Sequence, residues 1–471
     1  MHEAFPSMIE LKNVDAIKSG CRLFNNFSWR IGPGEHWVIC GNNGCGKTTL
    51  LEIISGAVHI PKGEVHFSFI EGSSWDERYA ERRRKIHYIP AHAIQSFLSE
   101  TQGLYYQQRY YGIGDEMVHL VRDMLGENVS ALHSFNIPES LSIQHLLDLD
   151  ITKLSNGQLK KVLLLRVLLA EPPQFLLLDY PFEGLDTDSR KDLCDFIDFI
   201  ATELGIQVII VDHYHQLPRV INRRLTLNNF DIVSEELYSA SKPNETTQPS
   251  THITTPPLAS GMPVIDIRNL RIQYRDHVVL DNFSWIVNQG ERWALIGRNG
   301  MGKTTLFSMI FADHPLAYSQ EIYLFGRRRG TGESIWDIKR RIAYMGPELV
   351  SYLAPKSIGL SARDYIRSVN RKMDENSLNL LVAHFNAQDF VDKPVRVLSS
   401  GQLQIMLIMN CFLTQKELLL LDEPFQFLDA RQRESLNSYL HTHLKGETTL
   451  ILITHYAEDL TEWTNHTKVV G

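Results

Sequence analysis

The sequence has few cysteines and no closely spaced pair of them. None of the five belongs to a C-x-x-C pair or has a histidine at zinc-site spacing. They are Cys21, Cys40, Cys45, Cys194 and Cys411. Zinc and iron–sulfur modules need clustered ligands of this kind. The pattern therefore argues against a structural metal cluster and suits a reducing compartment such as the cytosol.

The sequence also lacks a long apolar run and a secretory start. The run that comes closest to a membrane span, Val162 to Leu169, is interrupted by Arg166, whereas a span needs about 20 apolar residues. The first residues contain no basic region followed by an apolar one, as a signal peptide would. We therefore expect a cytoplasmic chain, and any contact with the inner face of a membrane would need other subunits.

An excess of basic charge is lacking as well. The formal net charge is −8, which argues weakly against a dedicated nucleic-acid binder. Hydrophobic residues make up 43% and charged residues 22% of the chain, as in ordinary globular proteins. A chain of 471 residues is long enough for two or three domains with sizeable cores.

What the sequence does contain is a glycine-rich segment that fits the phosphate-loop pattern G-x-x-x-x-G-K-[ST]. An apolar strand, Arg292 to Ile296, precedes it, and a predicted helix follows it. In such loops backbone N–H groups point at phosphate oxygens, the lysine adds a positive charge, and the hydroxyl can bind Mg²⁺. The candidate residues are Gly297, Arg298, Asn299, Gly300, Met301, Gly302, Lys303, Thr304 and Thr305.

The same segment occurs 256 residues earlier in the chain (303 − 47). The same shift superposes residues 26–29 on residues 282–285, so we infer the duplication of a whole domain. We expect one domain over 1–240 and another over 263–471, joined by an extended linker rich in Pro, Thr and Ser over 241–262. The first loop consists of Gly41, Asn42, Asn43, Gly44, Cys45, Gly46, Lys47, Thr48 and Thr49.

Each copy has further polar residues in the same order. An L-S-x-G-Q segment precedes a long apolar helix, an apolar strand then ends in Asp179 or Asp422, and His213 or His455 follows a later strand. Strands that alternate with helices predict an α/β fold with a mainly parallel sheet and helices on both faces. Ligands bind at the carboxyl ends of such strands.

This ordered set, present twice, resembles the nucleotide-binding domain of ABC ATPases over nearly the whole chain outside the linker. The resemblance implies two phosphate-loop ATPase domains, each with an antiparallel outer β part and a helical subdomain, that use ATP and Mg²⁺. Within the family, residues 313–315 and 324–339 are similar to the soluble tandem ATPases associated with molybdate uptake, the ModF or photorepair type. No residue indicates molybdate itself.

The resemblance also implies a role for individual residues. Asp179 and Asp422, with Thr48 and Thr304, would hold hydrated Mg²⁺. Glu423 would polarise the attacking water, with Lys303 and His455 as its catalytic partners. His213 and His455 would contact the γ-phosphate, and Tyr274 would stack on adenine. In the family, two domains pack head to tail, so each L-S-x-G-Q segment covers the ATP of the other domain. The residues that would do so are Ser155, Asn156, Gly157, Gln158, Ser399, Ser400, Gly401 and Gln402.

The two sites that this packing implies are unequal. Site one would combine Lys47, Asp179 and His213 with residues 399–402, and site two would combine Lys303, Asp422 and His455 with residues 155–158. Site one has Tyr180 where site two has Glu423, and a phenol with a pKa near 10 is a poor base. It also has Lys18 where site two has Tyr274, and stacking on a base contributes about 1–3 kcal/mol. We expect site one to bind ATP more loosely and to hydrolyse it slowly, if at all.

Two functions remain open. The leading one is the ATPase subunit of a membrane transporter whose permease lies on other chains, with anion uptake of the molybdate type implied by the resemblance alone. However, the glutamine that the family has after the strand containing Tyr88 or Tyr344 is replaced by Ala91 and Pro347, with Gln95 and Glu348 nearby. The alternative is a soluble ABC ATPase that acts on the ribosome or on nucleic acid. The short linker has no room for the charged helical hairpin of the translation-factor branch, and neither copy has room for the coiled coil of DNA-repair members.

Overall fold

The structure is a computed structural model of the whole chain, and it divides into two compact units, residues 1–246 and 247–471. We call these the first and the second unit and describe each by itself. The residues that the structure describes are 8–18, 21–91, 93–94, 120–126, 129, 137–138, 141–151, 154–212, 216–238, 263–274, 277–311, 313–346, 349, 359–371, 373–444, 448–454, 464 and 466–470. The predicted linker lies outside them.

The first unit contains two sheets. The larger has six strands in the order β5-β6-β7-β3-β8-β9, parallel except for the antiparallel pair β8–β9, and the smaller is antiparallel in the order β2-β1-β4. The strands are β1 (Ile9–Lys18), β2 (Cys21–Ile31), β3 (Trp37–Gly41), β4 (His59–Phe67), β5 (Ile86–Ile89), β6 (Phe175–Asp179), β7 (Gln207–Val211), β8 (Arg223–Asn228) and β9 (Asp231–Leu237).

The described helices of the first unit are α1 (Lys47–Ser55), α2 (Trp75–Lys85), α3 (Val121–Leu125), α4 (Asn156–Ala170) and α5 (Thr187–Glu203), with a 3-10 turn at Gln144–Leu146. Side chains alternate along each buried strand, because successive residues of a strand point to opposite faces. On β6, Leu176 and Leu178 pack with α4 and α5, whereas Phe175 and Leu177 pack with α1 and the antiparallel sheet. The parallel sheet is therefore covered on both faces, as its continuous apolar strands predict.

The second unit repeats this layered architecture. Its parallel sheet has the order β15-β16-β17-β12-β18 and its antiparallel sheet the order β11-β10-β13-β14. The strands are β10 (Pro263–Tyr274), β11 (His277–Asn288), β12 (Arg292–Ile296), β13 (Glu321–Leu324), β14 (Arg327–Arg328), β15 (Ile342–Met345), β16 (Leu418–Asp422), β17 (Thr449–Ile453) and β18 (His466–Val469). Leu419 and Leu421 pack with one layer of helices, whereas Leu418 and Leu420 pack with α6 and the antiparallel sheet.

The described helices of the second unit are α6 (Lys303–Ile310), α7 (Ile335–Lys339), α8 (Ala362–Val369), α9 (Glu375–His384), α10 (Ser400–Leu413) and α11 (Ala430–Thr442), with 3-10 turns at Pro315–Ser319 and Val395–Val397. Buried residues of α8, α9 and α10 form one apolar cluster with β15 and β16. The expected α/β architecture, with a parallel core and an antiparallel outer part, is confirmed in both units. Over the described residues, no helix is long and apolar enough to cross a membrane.

Candidate functional site

The second phosphate loop connects β12 to α6 and folds around its own lysine. Gly300 and Gly302 have φ angles of 83° and 84°, the left-handed region that favours glycine. Lys303 Nζ donates to the carbonyl oxygens of Gly297 at 2.5 Å and of Arg298 at 2.8 Å. Gly302 caps the helix without a side chain. The first N–H groups of α6 and its positive dipole end are therefore not covered by a side-chain cap, which is the arrangement that binds phosphate.

The first phosphate loop has the same geometry between β3 and α1. Gly44 and Gly46 have φ angles of 81° and 103°, and Lys47 Nζ donates to the carbonyl oxygens of Gly41 at 2.7 Å and of Asn42 at 2.8 Å. Lys47 is only 4% exposed. Because both loops hold the lysine in the same way, the sequence-predicted phosphate sites are alike in their backbone.

The first glycine of each loop lies directly against the backbone of a neighbouring segment, β8 for Gly41 and the residue after β18 for Gly297. A Cβ atom on Gly41 would lie 2.3 Å from the carbonyl oxygen of Leu227, and one on Gly297 would lie 2.3 Å from that of Val470. Both contacts are with backbone, which has little freedom to move. No other residue type fits at these two positions without displacing that backbone.

Each loop threonine is hydrogen-bonded to the aspartate at the end of the adjacent strand. Thr304 Oγ1 lies 2.8 Å from Asp422 Oδ2, and Thr48 Oγ1 lies 3.0 and 3.2 Å from the two carboxylate oxygens of Asp179. Asp179 and Asp422 are 5% and 2% exposed. The sequence-predicted metal ligands are thus brought together in both units, and a pair of hard oxygen donors suits Mg²⁺.

The electrostatics of Asp179 reflect its burial. Desolvation raises the pKa of this carboxyl to about 6, against the hydrogen bonds from Thr48 and Tyr88 and the charge of Lys47, which lower it. The Tyr88 hydroxyl lies 3.3 Å from Asp179 Oδ2. The sequence predicted only that Tyr88 lies on a buried strand, and its contact with Asp179 was missed.

The residue after each of these strands has an uncommon backbone conformation. Tyr180 has φ 49° and Glu423 has φ 53°, although residues other than glycine rarely adopt the left-handed region. Tyr180 N donates to the Val211 carbonyl at 2.9 Å, and Glu423 N donates to the Ile453 carbonyl at 3.0 Å. The two residues therefore occupy the same structural position, as the sequence alignment of the two halves predicts.

The side chains at this position differ in chemistry. Tyr180 is half-buried, and desolvation together with the charges of Asp179 and Glu183 raises its pKa well above the usual value of 10. Its ring faces the ammonium of Lys47, with 5.8 Å between Nζ and the ring centroid. A phenol in this environment stays neutral at physiological pH and is an even poorer base than the sequence alone indicates.

The two L-S-x-G-Q segments form the starts of helices α4 and α10. Ser155 caps α4 by accepting from Gln158 N at 3.2 Å, while the Gln158 side chain accepts from Ser155 N at 2.9 Å. Ser399 and Gln402 form the same capping box at 3.3 and 3.0 Å. Because each serine hydroxyl accepts in its cap, its own proton remains available for a ligand.

The ends of the first strands also correspond. Lys18 pairs with Cys21 across the β1–β2 hairpin, and Tyr274 pairs with His277 across the β10–β11 hairpin. In the first unit the position where the resemblance requires an aromatic ring holds Lys18, whose ammonium lies 2.5 Å from Glu52 Oε2. Tyr274 is described for its backbone alone.

Several predicted residues lie outside the described part of the chain. They include both predicted switch histidines, Gln95 of the first unit, and the two residues at the missing glutamine of the second unit, namely His213, His455, Gln95, Pro347 and Glu348. Ala91, at the corresponding position of the first unit, is described and exposed. The roles assigned to these residues stay predictions.

Sequence reasoning missed one further pair of residues, Lys160 and Gln404. Each follows its L-S-x-G-Q segment by two positions and contacts the loop after the aspartate-bearing strand. Their shared distance from the segment was visible in the sequence. Because one is a lysine and the other a glutamine, residue type did not mark them as equivalent.

A phosphate loop between strand and helix, an aspartate on the neighbouring strand and a covered parallel sheet, present twice, define a tandem phosphate-loop nucleoside triphosphatase. Comparison with known proteins narrows this class. A sequence profile described as ABC transporter matches residues 24–183 and 280–426. The chain belongs to the ABC transporter family and is a tandem ABC ATPase, an enzyme class that binds and hydrolyses ATP.

Two relatives match over nearly the full length of the chain. The ABC transporter ATP-binding protein ModF of Escherichia coli K12 is 29% identical over 476 residues, covering 91% of this chain and 90% of ModF. An uncharacterized ABC transporter ATP-binding protein of Schizosaccharomyces pombe, C323.04, is 28% identical over 480 residues, covering 96% of each chain. The resemblance to tandem ATPases of the ModF type is confirmed.

Two solved structures have the same fold. An archaeal ABCE1 in a complex of ribosome-bound Pelota and ABCE1 aligns with a TM-score of 0.59 at 20% identity, covering 94% of this chain and 73% of the other. Archaeal ABCE1 in complex with the ribosomal stalk protein aP1 aligns with a TM-score of 0.52 at 19% identity, covering 93% and 83%. At these identities the similarity concerns the fold alone.

Proposed function

We propose that the chain is an ATPase subunit with two unequal ATP sites, in which Glu423 activates the water in site two and Tyr180 leaves site one nearly inactive. The observation that supports this most strongly is the shared left-handed position of Glu423 and Tyr180. The backbone at this position is the same in both units, so the two sites differ here in side-chain chemistry, a carboxylate against a phenol.

In site two, each residue has a distinct task. Lys303 and the N–H groups at the start of α6 bind the β- and γ-phosphates and neutralise their charge. Glu423 lies directly after Asp422 and accepts a hydrogen bond from the attacking water, which orients the water and increases its nucleophilicity. His455 contacts the γ-phosphate, and Tyr274 stacks on the adenine.

Mg²⁺ fits both sites, because in each a threonine hydroxyl and a buried carboxylate lie within hydrogen-bond distance of each other. Thr304 and Asp422 would hold the ion in site two, and Thr48 and Asp179 would hold it in site one. When bound, the ion neutralises charge on the β- and γ-phosphates.

In site one, Lys47 and the N–H groups of α1 bind phosphate in the same geometry. Tyr180 offers no base, because burial keeps its phenol protonated. Lys18 replaces the aromatic ring that would hold the adenine. We infer that ATP binds here mainly through its phosphates, more loosely than in site two, and is hydrolysed slowly, if at all.

The L-S-x-G-Q segments complete the sites if the two units pack head to tail. Ser155 to Gln158 would then cover the ATP of site two, and Ser399 to Gln402 would cover that of site one. Each serine hydroxyl has a proton to donate to a γ-phosphate oxygen, since its cap uses only a lone pair.

The partner that we propose is a membrane permease on other chains, at the cytoplasmic face of the membrane. This rests on the name of ModF, an ABC transporter ATP-binding protein. Transport of a molybdate-type anion rests on the same resemblance. A ribosome-associated role is the second candidate, and it rests on the ribosomal complexes in which two proteins of this fold were solved.

A single-turnover experiment tests the unequal sites. The protein would be loaded with saturating radiolabelled Mg-ATP, rapidly freed of unbound nucleotide and followed over time. We expect two nucleotides per chain, one hydrolysed rapidly and one recovered intact. Equal hydrolysis of both would contradict the proposal. Co-purification with native membranes, compared with co-sedimentation with ribosomes, separates the two candidate partners.

A further inference from the structure

The backbone of Glu423 is held from two sides. Its N–H donates to the Ile453 carbonyl on β17 at 3.0 Å. Its carbonyl accepts from Gln404 Nε2 at 3.0 Å, and the same amide group lies 3.3 Å from the Pro424 carbonyl. Gln404 belongs to the first turns of α10 and is only 3% exposed. The amide therefore has a fixed place between the helix and the loop.

This support matters because the conformation of Glu423 is intrinsically unfavourable. A residue other than glycine pays about 1–3 kcal/mol in a sparsely populated backbone region and stays there only if its surroundings hold it. The direction of the Glu423 side chain depends on this φ angle of 53°. A relaxed backbone would move the carboxylate away from the water that it has to orient.

The first unit has a corresponding contact with different chemistry, which shares the proline carbonyl, Pro181 for Pro424, but otherwise reaches Glu183 further along the loop. Lys160 Nζ donates to the carbonyl oxygens of Pro181 at 2.6 Å and of Glu183 at 2.7 Å. Lys160 follows Ser155 by five residues, as Gln404 follows Ser399, and it supports the loop after Tyr180. In both units, a side chain on the helix that follows the L-S-x-G-Q segment thus donates hydrogen bonds to carbonyl groups of this loop, although one is a lysine and the other a glutamine.

We propose that Gln404 is a positioning residue for ATP hydrolysis: its amide holds the Glu423–Pro424 backbone so that the Glu423 carboxylate stays aligned with the water. This deepens the proposed function, because it rests on Glu423 as the group that activates water. Ser399 is the N-cap of the helix that bears Gln404. The segment proposed to cover the ATP of site one is therefore rigidly joined to the carboxylate of site two.

The test replaces the amide without changing its size. Gln404→Met keeps the length and apolar volume of the side chain and removes both donors. We expect kcat for Mg-ATP hydrolysis to fall about tenfold or more, because small misplacements of a catalytic group are costly. The KM for ATP should change less than about twofold, because the phosphate loop is untouched. Gln404→Lys, which introduces the residue type of the first unit, should keep most of the wild-type kcat.

Asn410→Leu is the matched control. Asn410 lies on the same helix and accepts from Asn370 Nδ2 at 2.7 Å, away from the loop. The Asn410→Leu variant should lose about as much thermal stability as Gln404→Met and keep the wild-type kcat. If Gln404→Met is too unstable to purify, Gln404→Glu serves instead, since an ionised carboxylate cannot donate to the two carbonyl groups.

The outcomes separate the two proposals. The positioning role is overturned if kcat is unchanged in Gln404→Met, or if Asn410→Leu loses as much kcat as Gln404→Met. In either case an inactive Glu423→Gln leaves the proposed function standing. If kcat of Gln404→Lys is as low as that of Gln404→Met, Lys160 and Gln404 are not equivalent. The proposal that any hydrogen-bond donor at this position is enough to hold the loop is then wrong. Full activity of Glu423→Gln would instead overturn the function on which the inference rests.

Discussion

The two phosphate loops share their backbone and differ in the residue that follows the neighbouring aspartate. Both lysines donate to the same pair of loop carbonyls, both threonines reach their aspartate, and both following residues are left-handed. The second unit presents Glu423 there and the first presents Tyr180. The backbone geometry of both loops is set by glycines and main-chain contacts, and under the proposed function the capacity for hydrolysis differs with the side chain at this one position.

The strongest test of the comparison is the removal of the carboxylate. Glu423→Gln keeps the size of the side chain but cannot accept a proton, so we expect steady-state hydrolysis to fall about 100-fold or more, in the range for loss of a general base. ATP should remain bound in both sites. Phosphate release and the count of bound nucleotide measure the two effects.

Tyr180→Phe is the matched change in the first unit. It removes a hydroxyl that is neutral at physiological pH, so turnover should change less than about twofold. Residual activity of Glu423→Gln near half of wild type would show that both sites hydrolyse, with Glu183 or a displaced water as the base of site one.

The loop lysines give a second contrast. Lys303→Ala should abolish turnover, because Lys303 neutralises the phosphates in the site that hydrolyses ATP. Lys47→Ala should instead lower the number of bound nucleotides from two per chain toward one. Equilibrium binding of a fluorescent ATP analogue, measured beside phosphate release, distinguishes them. Equal loss of turnover in both variants with unchanged binding would contradict the assignment.

The comparison can be sharpened by restoring the carboxylate to the first unit. Because Tyr180 already has the backbone conformation of Glu423, Tyr180→Glu added to Glu423→Gln should bring turnover back to within about tenfold of wild type. Phosphate release from the double variant measures it. A double variant as inactive as Glu423→Gln would mean that site one lacks more than a base.

The signature serines test which site each segment serves. Ser155→Ala and Ser399→Ala each remove a helix cap, so both should lose about 0.5–2 kcal/mol of stability. Turnover should fall about tenfold in Ser155→Ala, through loss of a hydrogen bond to charged phosphate, and less in Ser399→Ala. Denaturant unfolding and phosphate release on the same samples check both expectations. The opposite order of turnover would contradict head-to-tail packing.

The smallest effects that we expect are on stability, at the first glycine of each loop. Gly41→Ala and Gly297→Ala would each place a Cβ 2.3 Å from a carbonyl oxygen, so each should be destabilised by about 1–3 kcal/mol. Denaturant unfolding measures this. Because Gly41 also has a φ of 139° and lies against Cys45, Gly41→Ala should be the more destabilised of the two, and the opposite order would contradict this expectation.

Much of the fold and the site followed from local sequence patterns. The glycine spacing identifies both phosphate loops, and the ends of two apolar strands identify Asp179 and Asp422. The layered packing follows from the alternation of side chains along β6 and β16. The contacts of Tyr88, Lys160 and Gln404 did not follow, because they join residues far apart in sequence by packing. The left-handed position of Tyr180 could not be predicted either, since its residue type disfavours it.

The antiparallel pair β8–β9 has a consequence for association between molecules. An exposed edge strand offers unpaired backbone groups to other chains unless charge or shortness prevents it. The edge strand β9 places Asp231, Glu235 and Glu236 among the exposed apolar side chains of Val233 and Leu237. In the second unit the edge strand β18 has only four residues. In the first unit, resistance to edge-to-edge aggregation therefore depends on the carboxylates of β9 and should weaken at high salt or low pH. In the second unit it depends on the shortness of β18 and should not change with salt or pH.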